Sequence, residues 1–452
     1  MADLIADEIH IQARIERLPS TWFQRLFLVT LALNVFLDWF DAANVGDVLP
    51  TVRVLYHYTP IEVAWLTSAV FIGAVVGGYV LGHYSDLAGR KKGLLLVLIS
   101  VGVGSLLSAL SVNLAMFIGS RLLTGLGFGA GAPISWTYLS EMIPVRDRAK
   151  RIGLLNGIGN IGFPAAAILV AFFVAISPYD WRYMFLISSI ITLIAIALLL
   201  RVPESPRYYL TKGKIKEAEA SLKIIETKTE KNYGKPLPSP DLSQENPISI
   251  AKSTVRELFS KQYRLITSII ILSFMLYTIG FYSLTVLLPT LFVAKGFTII
   301  HSIYYTAIAD TGTVLGASSI YLVGERMQRK TVVGIFGVLA GILVFGVLAS
   351  TTAVVAVITA FFALYFNAFM FSGLTTYMSE VFPTRMRATA DGITYGLAGK
   401  GINAVFFIIF LAIAPGIVSV LGTVAISYIL SAIVLFFGGI ATANMVLEKI
   451  SK

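Results

Sequence analysis

A chain of 452 residues that is 56% hydrophobic and only 13% charged, with a mean hydropathy of +0.81, carries about half the charge of a soluble domain. That excludes a large soluble core and points to a polytopic, all-α membrane protein. Cysteine is absent, which excludes disulfides and thiol chemistry, and the formal charge of +10 raises a nucleic-acid surface that the placement of the basic residues then dismisses.

The first twenty residues hold Asp3, Asp7, Glu8, Arg14, Glu16 and Arg17 and no apolar run, so residues 1–21 read as a tail without a cleavable signal. Runs of about 20 apolar residues, the length of a spanning helix, recur twelve times. They fall at 22–49, 60–84, 92–112, 114–138, 150–175, 181–201, 263–293, 301–324, 331–350, 352–379, 390–414 and 417–446. Lipid cannot satisfy free backbone groups, so spans this rich in glycine must be helices packed on one another.

With the N-terminus inside, 29 of the 35 Lys and Arg fall on cytoplasmic segments. Only Arg53, Arg182 and Lys295 lie outside, while Arg25, Arg121 and Lys400 lie within spans. This asymmetry predicts N-in, C-in topology, and it accounts for the net charge without nucleic acid. The cell membrane is the expected location.

The sequence predicts a six-helix bundle over 22–201, a cytoplasmic linker over 202–262, a second bundle over 263–446 and a tail over 447–452. In the linker, Ile215, Ala218, Leu222 and Ile225 recur at helical spacing, as an amphipathic helix requires. KPLPSPDLSQENP is a Pro/Ser-rich connector. The plain reading of this segment is a tether between halves.

The halves repeat. YLSEMIPVRDRA at 138–149 returns as YMSEVFPTRMRA at 377–388, Asp86 with Arg90 returns as Glu325 with Arg329, and LPT at 49–51 returns at 288–290. All three pairs share an offset of 239 residues. A parallel repeat of this kind binds substrate between its halves near the bilayer midplane.

GHYSDLAGRKK at 82–92, holding Gly82, Asp86, Gly89 and Arg90, resembles the loop signature of the major facilitator superfamily. SRLLTGLGFGAGAPISWTYLSEMIP at 120–144 and PESPRYYL at 203–210 resemble motifs of its sugar porters. FLDWFDAANVG and FPTRMRATADG with GLAGKG resemble its aromatic-acid and metabolite:proton symporters. The resemblance implies alternating access between two bundles. It also implies a cytoplasmic gate of ion pairs, in which Gly82 permits close packing, Asp86 meets a facing helix or Arg, and Arg90 bridges helix ends. Glu141, Arg148, Glu325, Arg329, Glu380 and Arg387 complete that gate. A sugar porter would show a Gln- and Asn-bearing seventh span, whereas this chain has FMLYTIGFYSLTVLLP.

Within the first span, Asn34, Asp38 and Asp41 fall within about 60° of one another at ~100° per residue. Asp47 points away and reads as an interfacial or capping residue. Asp41 lies about 6 Å outside the span centre, and Arg121 on the fourth span lies at a matching depth. They form a candidate ion pair, either a proton-coupling device, as in the sugar-porter pattern, or a static bridge.

Lys400, near the middle of the eleventh span, must be paired or face a wet cavity. Its partner is an anionic substrate or Asp310 of the eighth span. Asn156, Asn160, Tyr277, Tyr282, Tyr365, Asn367 and Asn403 are further cavity candidates, each equally readable as packing polarity.

The expected function is proton-coupled symport of a small organic anion, with protons as the only coupling agent, no cofactor, no metal and no enzymatic activity. A monomer in the bilayer suffices for it. The alternatives are a sugar symporter, an inorganic phosphate symporter and a non-transporting nutrient sensor on the same scaffold.

Overall fold

The computed structural model describes residues 10–240, 255–319, 327–382, 386–413 and 416–440, and every regular element among them is helical. A short helix α1 spans 10–16. The first half follows as α2 (Trp22–Tyr56), α3 (Pro60–Ala88), α4 (Arg90–Ala109), α5 (Leu114–Met142), α6 (Val145–Asn160), α7 (Gly162–Ile176) and α8 (Arg182–Leu200). Next come α9 (Pro206–Thr211), α10 (Ile215–Tyr233) and α11 (Val255–Leu258). The second half holds α12 (Arg264–Ala294), α13 (Ile299–Ser319), α14 (Arg329–Ala349), α15 (Ala353–Val381), α16 (Arg387–Asp391), a π-helical stretch (Gly392–Lys400), α17 (Gly401–Ile413) and α18 (Ile417–Gly438).

Among the described residues, eleven helical runs are long and apolar enough to cross a membrane, with α6–α7 and the α16–π–α17 region each contributing one. The expected span at 301–324 corresponds to α13, which carries His301, Thr306, Asp310, Thr311 and Thr313 and does not join the eleven.

The repeat is written into helix ends and helix contacts. Helices α5 and α15 are both 29 residues long and start 239 residues apart, and their starts are capped alike. Asn113 Oδ1 accepts from Met116 N at 2.8 Å and Thr352 Oγ1 from Val355 N at 3.4 Å. Gly73 and Gly77 let α3 press against the α5 carbonyls of Leu122 and Leu126, and Gly312 and Gly316 do the same for α13 against Phe361 and Tyr365 of α15. Close approach of this kind needs small residues, because packing and not hydrophobicity holds helices together in lipid.

The halves meet through α2 against α12, α3 against α17 and α7 against α13. The repeat leaves the first contact in place and exchanges the other two. At Gly46 of α2, an added Cβ would lie 2.5 Å from the Val286 carbonyl oxygen of α12, so this crossing is tight.

Two spans change helical form at equivalent points. Helix α6 ends at Asn160 and α7 begins at Gly162 with Ile161 still helical between them, while the π-helical stretch runs straight into α17 at Gly401. π turns gather at functional positions.

Helix α10 buries Ala218, Leu222 and Ile225, three of the four residues whose spacing predicts it. Against its acidic side docks the N-terminal segment, with Ile11, Ala13, Ile15 and Leu18 buried. Arg14 Nη2 and Arg17 Nη2 each lie 2.6 Å from Glu226. The Pro/Ser-rich connector is described only through residue 240, where the Pro238 carbonyl accepts from Arg17 Nη1 at 2.7 Å.

Candidate functional site

A cavity of about 480 Å³ lies between α3, α5 and the π-helical stretch. Asp86, Arg90 and Val255 stand at one end of its lining, the basic end of the bundle, and Lys400 at the other. The Lys400 ammonium is buried, with 3% of the residue exposed. It crosses between the halves to donate to the Phe128 carbonyl oxygen at 2.7 Å, and it sits 4.1 Å above the Phe128 ring and 5.5 Å from that of Tyr395.

The carboxylates whose charge reaches Lys400 are Asp38 in the first half and Asp391 in the second. Asp310 is not among them. Asp310 is buried on α13, with Oδ1 lacking a hydrogen-bond partner, so the Asp310 alternative for the partner of Lys400 is not formed. Depth along the membrane matched, but the two side chains leave their helices in different directions. Asp38 is buried between Asn34 and Gly131 of α5, with no hydrogen-bond partner on either carboxylate oxygen.

The pair matched by depth is formed. Arg121 Nη2 stands 2.7 Å from Asp41 Oδ2, with Arg121 fully buried. Ser105 Oγ donates to Asp41 Oδ1 at 3.0 Å, and the Phe185 ring lies 5.4 Å from the guanidinium carbon. Arg121 Nε and Nη1 have no acceptor. A buried ion pair with unsatisfied donors is a weak stabiliser, so stability alone gives little reason for it.

Rings from both halves pack beside the cavity. Trp39 and Phe163 meet Phe281 at centroid distances of 6.0 and 5.8 Å, and Phe71 and Phe128 meet Tyr282 at 4.7 and 6.3 Å. Tyr282 and Tyr395 share a 3.2 Å hydroxyl contact. Tyr277 stacks on Phe281 and Phe371, and Asn367 is buried with Oδ1 lacking a hydrogen-bond partner. Asn156 accepts from Nε1 of the cavity-lining Trp136 at 2.8 Å, and Asn160 closes α6. Asn403 donates to Gly399 of its own helix at 2.8 Å, and its Oδ1 is buried without a partner. Tyr365 departs from expectation: its ring packs among Phe361, Phe362, Phe366 and Phe369 of α15.

The gate residues also sort differently from expectation. Glu141 pairs with Arg90 at 3.1 Å and Glu380 with Arg329 at 2.9 Å, each within one half and 239 residues apart. Arg148 and Arg387 are not their partners: Arg387 Nε donates to Phe382 O at 3.1 Å, and Arg148 is half-buried with Nε and Nη2 free of hydrogen bonds. Asp86, in the last turn of α3, bonds Arg90 at the start of α4 across the Gly89 junction and is largely exposed. A Cβ at Gly82 would meet nothing, so Gly82 borders the cavity and packs on no helix. Glu325 lies outside the described residues.

Gly89 adopts φ +115°, open to glycine alone, and an added Cβ would lie 2.1 Å from Glu204. Glu204, the acid of PESPR, accepts the Lys91 backbone N–H at 3.1 Å. That caps α4 and ties the end of the sixth span to the α3–α4 junction. Burial pushes the Glu204 carboxyl up from its usual range.

Asp391 is the functional candidate that sequence reading missed. Among the described residues, no group of His, Asp and Glu is placed to hold a metal.

A family model described as Major Facilitator Superfamily matches residues 31–402. The niacin transporter NiaP of Acinetobacter baylyi is 28% identical over 84% of this chain and 85% of its own. The 4-hydroxybenzoate transporter PcaK of Pseudomonas aeruginosa is 26% identical over 87% of each. A partially occluded inward-open structure of the xylose transporter XylE from E. coli superposes at TM-score 0.73, with 18% identity, over 94% of this chain and 99% of that one. With a family model over most of its length and transporters as relatives, the chain belongs to the Major Facilitator Superfamily and is a membrane transporter, not an enzyme.

Proposed function

We propose that the protein is a proton-coupled symporter that carries a small organic anion across the cell membrane by alternating access. The observation that carries this reading is Lys400, a buried cation at the end of a π-helical stretch, set in a cavity and tied across the halves to a main-chain carbonyl. A carbonyl is a weak counter-ion for an ammonium, and a carboxylate arriving in the cavity would displace it. Niacin and 4-hydroxybenzoate, the molecules for which two relatives are named, are both ring carboxylates.

Proton coupling is assigned to Asp41 with Arg121, and to Asp38. A carboxylate held by Arg121 stays ionised, and the same carboxylate parted from it in a dry interior takes a proton. One elementary charge moving through 100 mV supplies ~2.3 kcal/mol, enough to drive accumulation. XylE, whose fold this chain shares, is described as a proton:xylose symporter.

In this reading the protein works as a monomer with twelve spans and both termini cytoplasmic. The halves are 22–201 and 263–446, joined by 202–262 and flanked by tails at 1–21 and 447–452. The basic end of the cavity is its cytoplasmic mouth. The likeness to XylE favours a sugar as the second reading, but α12 offers no Gln or Asn between residues 274 and 289 to bind hydroxyls.

A thermal-shift panel of aromatic acids, short carboxylates, sugars and phosphate tests the substrate class, followed by uptake into proteoliposomes after a pH jump. Lys400→Ala should abolish anion binding and leave the fold intact. Unchanged anion uptake by that variant overturns the role of Lys400, and flux indifferent to the proton gradient overturns coupling. Hits confined to sugars or to phosphate transfer the assignment to those symporters, and binding without flux to a sensor.

A further inference from the structure

A second cavity, of about 450 Å³, lies at the end of the molecule away from the basic mouth, between the last turns of α2 and α12 and the first turns of α3 and α18. Both halves line it. Leu49 of α2, Leu287 of α12 and Val420 of α18 are buried in its depth, while Arg53, Val54 and His57 are exposed at its rim. The tight α2–α12 crossing at Gly46, one turn before Leu49, lies beneath it. An apolar floor below a cationic rim suits an amphipathic anion that enters apolar end first.

The rim is open to such a ligand. Among the described residues, the Arg53 and His57 side chains make no hydrogen bond or ion pair. The other basic residues expected on this side are engaged: Arg182 donates to the Ala109 and Ser111 carbonyls, and Lys295 to that of Leu348. Glu62, the acid at the start of α3, is held by Thr59 of its own cap.

The repeat shows that the fold asks for neither side chain. Shifted by 239 residues, the position of Arg53 is Phe292 and that of His57 is Gly296. The two turns share one backbone. Tyr58 N donates to the Arg53 carbonyl at 3.2 Å, and Phe297 N to the Phe292 carbonyl at 3.2 Å. Both carry a positive φ, +53° at His57 and +95° at Gly296. Glycine adopts such a φ freely, whereas a side chain there is strained. His57 keeps a strain that the second half relieves with glycine.

We infer that this cleft binds an organic carboxylate from the external medium, at a site distinct from Lys400, and that its occupancy holds the outer side closed. The carboxylate meets the Arg53 guanidinium, whose paired N–H groups match its geometry, with a ring N–H of His57 as a second donor. The apolar body lies between Leu49 of one half and Leu287 and Val420 of the other. Parting α2 from α12 removes one wall, so the ligand binds the closed form better and shifts the population toward it. That the rim faces outside rests on the orientation proposed above; the binding itself does not need Lys400 to be the transport site.

Calorimetry with cinnamate on the full-length protein in phosphatidylcholine nanodiscs tests the site, in a Lys400→Ala background that sets the inner cavity apart. Cinnamate should bind, and the neutral cinnamamide should not. Arg53→Gln should weaken cinnamate roughly tenfold. His57→Gly gives the turn the residue its repeat already uses, so it should weaken binding with no loss of melting temperature. In proteoliposomes with Lys400 intact, external cinnamate should slow labelling of Val54→Cys at the rim and speed labelling of Gly82→Cys from the cytoplasmic side. Equal binding of cinnamamide, or binding unchanged in both rim variants, overturns the site. Binding lost when phosphatidylglycerol replaces phosphatidylcholine gives the cleft to a lipid headgroup and overturns it as well. Unchanged labelling of Gly82→Cys overturns its part in closure. Should Lys400→Ala fail to fold, the rim variants are read in the wild-type chain, where one of two binding events should weaken. Rim effects that persist while Lys400→Ala transports normally would sink the Lys400 reading and leave this site standing.

Discussion

Lys400 of the second half donates a hydrogen bond to the carbonyl of Phe128 in the first, 2.7 Å away, with its ammonium 4.1 Å above the ring of the same residue. The cavity ends at this contact, so the contact holds the halves together on the side away from the basic mouth. A desolvated cation over an aromatic face contributes about 2 kcal/mol. Phe128→Leu keeps the carbonyl and most of the volume and removes the ring, which also packs on Trp39, Phe71 and Tyr282. The variant should shift the population away from the inward-facing form by up to roughly thirtyfold. Because the chain has no cysteine, a single Gly82→Cys at the cavity mouth can be labelled without background. Its labelling rate from the cytoplasmic side should fall in the Phe128→Leu background, and an unchanged rate removes this contact from the conformational balance.

Asp41→Asn separates coupling from transport. The substitution leaves Arg121 buried without a charge partner, a loss of about 3–5 kcal/mol in the conformation that forms the pair. Uphill uptake driven by a proton gradient should drop to background, while exchange between substrate pools on the two sides persists. Preserved accumulation against a gradient would make the Asp41–Arg121 bridge a structural one.

The sequence carried the two-half architecture and the Asp41–Arg121 pair because both depend on position along the helix axis, which sequence records at ~1.5 Å per residue. The Asp310 alternative for Lys400 is not formed because depth does not report azimuth, and Asp47, read as an interfacial or capping residue, is buried. Asp391 was lost for a different reason. Nine residues apart, it and Lys400 lie on opposite faces of an α-helix at ~100° per residue, and the wider π turns between them bring them to one side. The gate acids were visible as a repeated motif, but their partners, Arg90 and Arg329, came from the neighbouring helices and not from the arginines in the same motif.

The N-terminal segment should hold at neutral pH and release in acid. Burial alone would raise the Glu226 carboxyl, but hydrogen bonds from Arg14 and Arg17 outweigh it and hold the group below its usual range. A carboxyl depressed in the folded state contributes stability above its unfolded value of about 4.3, and that contribution is lost as pH falls through the folded value. Docking should therefore be constant from about pH 8 to about pH 5 and fail under about pH 4. Glu226→Gln should weaken it by about 1–3 kcal/mol at neutral pH and flatten the acid transition. Hydrogen exchange over residues 10–18, corrected for its intrinsic pH dependence, measures both, and an acid transition retained in the variant would assign it to another group.

Gly46→Ala tests whether the α2–α12 crossing governs closure of the outer side. The new Cβ would lie 2.5 Å from the Val286 carbonyl oxygen and 2.8 Å from its Cα, both backbone atoms with no rotamer to yield. Overpacking of that kind costs about 1–3 kcal/mol, and the molecule avoids the cost by parting α2 from α12 at their outer ends. The outward-facing form should gain by roughly tenfold, again read as slower labelling of Gly82→Cys from the cytoplasmic side. A variant that labels at the wild-type rate would show that the two helices slide past the added methyl, leaving the crossing with no part in the switch.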